Sequence, residues 1–176
     1  MSEKPKSDFQ NASLHFSIYT VSQKFNYNLP SFFPLHRLKM SEPISDRKIK
    51  FALVGCGRIS NNHFGSFEVL QEDCELVAVC DIDPVALEAT IKRTGAKGYA
   101  RYTEMLAETD ADVIVVTTPS GLHPEQAVEA LEAGFHVVTE KPMATCFTDG
   151  ERMVQAADKA GKRLFVVKQN RLNATL

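Results

Sequence analysis

The sequence holds 176 residues, 44% of them hydrophobic and 24% charged, with a formal net charge of −2. That is enough chain for a domain with a real core, and the charge balance argues against a binder of nucleic acid or membrane surfaces. No apolar run reaches transmembrane length and no basic start leads into an apolar signal core, so the expected location is cytoplasmic.

Residues 1–39 read differently from the rest. They carry five basic residues (Lys4, Lys6, Lys24, Arg37, Lys39) against two acidic ones (Glu3, Asp8). The stretch from Phe25 to Pro34 has aromatics but neither a strand nor a helix period, and Pro30 and Pro34 interrupt it. Residues 1–47 are therefore expected to be a disordered N-terminal extension, with a natural start at Met40. A docking arm or an organelle-targeting peptide is the competing reading.

From Lys48 onward, apolar runs alternate with helical patterns, and residues 48–176 are expected to form one α/β domain. The runs 49–54, 75–80, 98–101, 112–117, 135–139 and 163–168 are rich in Val, Ile, Phe and Leu. Such continuous runs suit strands buried on both faces of a parallel sheet. Helix boundaries fall between them. Asp83 precedes a first-turn Pro84, Thr103 precedes Glu104-Met105-Leu106, and Ser120 precedes a helix that stops at Gly134. Thr148 and Glu151 have capping-box spacing ahead of a helix that stops at Gly161. Alternation with short links predicts a doubly wound, Rossmann-type sheet of about six strands in the order 3-2-1-4-5-6. Ligands in such sheets sit beyond the carboxyl ends of the strands, so those ends hold the candidate site.

The first strand runs into Gly55-Cys56-Gly57-Arg58-Ile59-Ser60. Gly55 allows a tight turn, Gly57 leaves room for a pyrophosphate against the backbone, and the following helix turns free N–H groups toward the phosphates. Ser60 stands where the fingerprint has Gly or Ala, and is small enough to fit. The second strand ends on Asp81, 24 residues past Gly57, where an acid can accept hydrogen bonds from an adenosine ribose. Cys56, Cys74, Cys80 and Cys146 have neither Cys-x-x-Cys spacing nor a histidine at ligand spacing, so reduced thiols are expected and no metal site.

Three further strand ends carry polar residues. Thr117-Thr118-Pro119-Ser120-Gly121-Leu122-His123 faces the switch point, or is a turn with His123 on the surface. Glu140-Lys141-Pro142 offers a lysine that can hold a substrate hydroxyl, or a solvated ion pair. Lys168-Gln169-Asn170-Arg171 is a set of donors, or a polar exit loop.

In this order, the glycine loop, Asp81, the Thr-Pro-Ser-Gly-Leu-His run, Glu-Lys-Pro and Lys-Gln-Asn-Arg resemble the glucose–fructose oxidoreductase/inositol dehydrogenase family over residues 48–176. Gly121-Leu122-His123-Pro124-Glu125-Gln126, Thr139-Glu140-Lys141-Pro142-Met143-Ala144-Thr145 and Phe165-Val166-Val167-Lys168-Gln169-Asn170-Arg171 narrow the likeness. They are similar to bacterial dehydrogenases of UDP-N-acetyl-2-amino-2-deoxyglucuronate, which oxidise the sugar C3 hydroxyl for surface polysaccharide.

The resemblance implies NAD as cofactor and a small UDP-sugar or sugar as partner, with no nucleic acid and no membrane. It implies that Gly55, Gly57, Arg58, Ile59 and Ser60 hold the pyrophosphate, and that Asp81 binds the ribose, its charge opposing the 2′-phosphate of NADP. Ile82 would line the adenine, and Thr118, Pro119 and His123 the nicotinamide half. Glu140 and Lys141 would flank the nicotinamide and the reacting hydroxyl, with Lys141 catalytic. Gln169 would lie near the nicotinamide and Arg171 near the substrate. Family members carry a second α/β domain, which supplies a catalytic histidine, most of the substrate pocket and a homo-oligomer interface. No counterpart of that domain is expected before Leu176, and His123 is not given the histidine's role. Dehydrogenation of a free sugar or polyol such as inositol, or NAD binding by an inactive truncated fragment, stand as alternatives.

Overall fold

The computed structural model describes residues 44–168, and within them the alternation expected from the sequence is borne out. The N-terminal arm up to residue 43, the start at Met40, Gln169 and Arg171 lie outside the described residues. In chain order the elements are β1 (Ile49–Val54), α1 (Ser60–Val69), β2 (Cys74–Cys80), α2 (Pro84–Thr94), β3 (Lys97–Tyr99), α3 (Tyr102–Glu108), β4 (Val113–Val116), α4 (His123–Glu132), β5 (His136–Thr139), α5 (Phe147–Ala160) and β6 (Leu164–Val166). The strands pair in the order β3-β2-β1-β4-β5-β6, every pair parallel. The sequence-derived order is thus the observed one.

Strand periodicity divides the core in two. Ala52 and Val54, Ala78 and Cys80, Ile114 and Val116, and Val137 point to one face. There they pack with Met105 of α3, with Ala127, Ala130 and Leu131 of α4, and with Met153, Ala156 and Ala157 of α5. Leu53, Val79, Val113, Val115 and Val138 point to the other face, against Phe64 and Phe67 of α1 and Ala86, Leu87 and Ile91 of α2. Burial on both faces explains why the strands read as unbroken apolar runs rather than alternating ones. Ala127 with Ala130 and Leu131 on α4, and Met153 with Ala156 and Ala157 on α5, recur at 3-and-4 spacing in a narrow apolar stripe, and the small alanines let these helices lie against each other and the sheet.

Asp83 caps α2 as the sequence suggests, its Oδ1 accepting from the Val85 N–H at 2.9 Å. Three other expected caps are displaced. Thr103 and Thr148 fall inside the first turns of α3 and α5, whose N-caps are Arg101 and Cys146. Ser120 opens a 3-10 turn over Ser120–Leu122, and α4 begins after it. The Thr148 hydroxyl lies 3.3 Å from the Cys146 thiol, and α5 starts two residues too early for the threonine to cap it. All four cysteines are free thiols, three of them buried. Among the described residues no helix is long and apolar enough to cross a membrane.

Candidate functional site

The site forms where four strands run out at one edge of the sheet. The ladder continues one residue past each strand. Gly55 N–H donates to Cys80 O at 2.8 Å, Thr117 N–H to Val54 O at 2.9 Å, Asp81 N–H to Tyr99 O at 3.2 Å and Glu140 N–H to Val116 O at 3.0 Å. These bonds fix the backbone of each candidate residue, so their side chains project from a rigid rim rather than from free loops.

β1 and β4 are neighbours, which brings Gly55 directly against the Thr117–Thr118 backbone. Gly55 adopts φ +96°, and a Cβ there would stand 2.7 Å from Thr118 N. The Thr117 hydroxyl donates to the Val54 and Gly55 carbonyls at 2.9 and 2.7 Å, closing the switch point. Gly57 is different, since a Cβ built on it meets nothing within 4 Å. Arg58 is exposed and Ile59 half-buried. Ser60 is fully buried, and its hydroxyl donates to Gly57 O at 2.6 Å. The serine therefore fits because it is small and because its hydroxyl has a partner inside the loop. No side chain caps the first turn of α1. Burial raises the pKa of Cys56, and pushes Cys80 up to about 12, so both thiols are packing groups here.

Asp81 locks this loop. Its Oδ2 accepts from Cys56 N–H at 2.6 Å and its Oδ1 from Asp83 N–H at 2.8 Å. One lone pair per oxygen is thus committed to backbone, leaving each oxygen able to accept one more donor. Ile82, beside it, is 92% exposed, an apolar surface with no protein cover.

Beyond β5, Glu140 turns inward. Its Oε1 lies 2.8 Å from His63 Nε2 of α1, and both residues are 5% exposed. Its Oε2 accepts from Lys141 N–H at 3.3 Å. Lys141 itself is exposed, and the Lys141–Pro142 bond is cis. The Glu140 carboxylate is therefore joined to His63 and to the Lys141 backbone, not closed into a solvated pair with the lysine ammonium. Burial pushes the Glu140 carboxyl up. The His63 hydrogen bond and the nearby Lys141 outweigh burial and hold it below the usual carboxylate range. A lowered folded value stabilises the fold above the unfolded value near pH 4.3, and that contribution fades as pH falls through the folded value. Glu140→Gln is expected to cost about 2 kcal/mol at neutral pH. In denaturant melts against the parent, the gap should hold down to about pH 5 and shrink below about pH 4.

His123 is 1% exposed, which overturns the surface reading of this residue. Its Nδ1 lies 2.9 Å from Pro142 O and its Nε2 2.8 Å from Thr118 O. The ring thus joins the Thr118–Pro119 loop to the Lys141–Pro142 turn. Thr118 Oγ1 also donates to Gln126 Oε1 at 2.5 Å, tying that loop to α4. Pro119 is exposed. The structure brings Gly55, Gly57, Ser60, Asp81, Thr118, His123, Glu140 and Lys141 to one rim. Sequence reasoning missed His63, which belongs to no recognisable motif, and gave no role to Gln126, which stands only as the last residue of the Gly121–Gln126 run; the partners Glu140 and Thr118 identify them.

A dinucleotide fits these residues. The open space at Gly57 is one a Cβ would fill, and Asp81 holds two oxygens ready at the end of β2. Among the described residues there is no group of three or more His, Cys, Asp or Glu able to hold a metal ion.

Comparison with known proteins agrees. A sequence model described as "Oxidoreductase family, NAD-binding Rossmann fold" (GFO_IDH_MocA) matches residues 49–168. The chain is similar to the WlbA dehydrogenase of Chromobacterium violaceum, whose crystal structure is a complex with NADH and UDP-GlcNAcA. The two share 66% identity and a TM-score of 0.77 over 78% of this chain and 40% of that one. The WlbA dehydrogenase of Bordetella pertussis, also in complex with NADH and UDP-GlcNAcA, shares 59% identity and a TM-score of 0.75 over 76% of this chain and 40% of that one. Inositol 2-dehydrogenase of Salmonella typhimurium is 33% identical over 118 residues, 66% of this chain and 35% of that enzyme. The chain therefore spans little more than a third of the length of these relatives.

Proposed function

The chain belongs to the Gfo/Idh/MocA oxidoreductase family as an NAD-binding Rossmann domain, and we propose that it is the nucleotide-binding half of a dehydrogenase acting on the C3 hydroxyl of UDP-N-acetyl-2-amino-2-deoxyglucuronate in surface-polysaccharide synthesis. One observation carries the choice of substrate. Identity is 66% to a dehydrogenase crystallised with NADH and UDP-GlcNAcA, against 33% to an inositol dehydrogenase.

NAD, when bound, supplies the nicotinamide that accepts a hydride. The loop of Gly55, Gly57, Arg58, Ile59 and Ser60 holds the pyrophosphate, and Asp81 accepts from the adenosine ribose beside the apolar surface of Ile82. Thr118, Pro119, His123 and Glu140 border the nicotinamide half. Lys141, exposed on a turn fixed at both ends, donates to the reacting hydroxyl and stabilises its oxygen as the proton leaves. The base that takes the proton is not among these residues.

The test follows NADH fluorescence after the chain is mixed with NAD and either UDP-GlcNAcA or myo-inositol. With no proton-accepting base among these residues turnover should be slow, and NADH formation above the no-substrate rate with the sugar nucleotide alone is the expected result. Formation with inositol alone overturns the substrate assignment. A folded chain that binds NAD but reduces it with neither substrate is a cofactor module without dehydrogenase activity of its own.

A further inference from the structure

We propose that His63 is a positioning residue that sets the nicotinamide side of the site, fixing the Lys141 turn to the helix that begins at the phosphate loop. The inference rests on the reading of Glu140 and Lys141 as nicotinamide-side residues.

His63 is the fourth residue of α1, so it stands one turn from the glycine loop. Glu140 is 77 residues away in sequence, yet its Oε1 lies 2.8 Å from His63 Nε2. An ionised carboxylate only accepts, so Nε2 carries the hydrogen and donates. The other carboxylate oxygen holds the Lys141 N–H. With both oxygens engaged and the group 5% exposed, the carboxylate has one orientation, and the backbone that starts Lys141 is fixed with it. On the far side of the same turn, Pro142 O meets His123. Two buried histidines thus grip the turn from opposite ends, and His63 is the one that reaches it from the phosphate-loop helix.

A stabilising role alone accounts poorly for such a pair. Buried ionic groups are commonly matched or bettered in stability by apolar residues of similar volume. What apolar packing cannot supply is a directional hold on a single backbone N–H. The histidine therefore links two halves of one site. Pyrophosphate meets the start of α1, and the same helix sets the lysine turn.

The experiment titrates the full chain with NADH and with ADP-ribose, which lacks the nicotinamide. His63→Gln carries an amide N–H far enough to reach Glu140, whereas His63→Asn stops one methylene short. The parent should bind NADH more tightly than ADP-ribose. His63→Gln should keep that ratio within about twofold, and His63→Asn should reduce it about tenfold with ADP-ribose affinity unchanged, as expected for one lost bond to a charged group. Parallel loss of both ligands in His63→Asn makes His63 a determinant of the fold and overturns the proposal, as does an unchanged ratio. A parent that binds ADP-ribose as tightly as NADH also overturns it, while leaving the adenosine half of the cofactor reading standing. A parent that binds neither removes the cofactor reading itself, and the inference with it.

Discussion

Gly57→Ala is expected to leave the melting temperature of the chain within a few degrees of the parent while lowering its affinity for NAD about 100-fold. The added methyl meets no protein atom within 4 Å, and the residue is not in the left-handed region, so the unliganded fold has nothing to resist it. The space it fills is where the proposed pyrophosphate would come against the backbone. Gly55→Ala should behave in the opposite manner. Its Cβ would sit 2.7 Å from Thr118 N and 2.8 Å from Thr117 C, both backbone atoms pinned by the β4 ladder, and its φ of +96° strains any L side chain. Clash and strain together should cost about 3–5 kcal/mol, enough to lower the melting temperature by about 10 °C or more. Thermal melts and NAD calorimetry on the two variants measure both effects. If Gly57→Ala binds NAD like the parent, the phosphate does not lie where the loop places it.

How much of this was legible in the sequence depends on whether the signal was local. The sheet order was legible because each buried strand is a continuous apolar run bounded by turn residues, and right-handed crossovers leave few ways to arrange six of them. Gly55, Gly57 and Asp81 were legible because fixed chain offsets carry their geometry. Helix starts were less so. Thr103, Ser120 and Thr148 have the chemistry of caps, but α3 and α5 begin earlier than these threonines and Ser120 lies in a 3-10 turn. Neither N-cap residue, Arg101 nor Cys146, makes a side-chain cap bond, so capping chemistry does not set these starts. His63 was the least legible. On the sequence it is one polar residue in Asn61-Asn62-His63-Phe64, and only the fold brings Glu140 against it. His123 was legible as part of a motif, yet its burial between two carbonyls was not, because both partners are backbone atoms and leave no mark in residue identity.

Asp81→Ala is expected to weaken NAD binding about 100-fold and to erase the preference for NAD over NADP. Two causes of that weakening make different forecasts. Asp81 accepts the Cys56 and Asp83 amides, so its loss frees two backbone donors and loosens the glycine loop. If loosening is the whole effect, NAD and NADP affinities fall by the same factor, because both share the pyrophosphate. If Asp81 also reads the ribose, NAD loses its carboxylate acceptor while NADP loses a charge that repelled its 2′-phosphate. NADP affinity should then fall far less, and the ratio of the two should approach one. Calorimetric titration of parent and variant with both cofactors separates the cases. A parallel fall assigns Asp81 to the loop, and a collapse of the ratio assigns it to the ribose. The second result is expected, because the amides occupy only one lone pair on each oxygen and the carboxylate stands half-exposed at the end of β2, with acceptor capacity left for the cofactor.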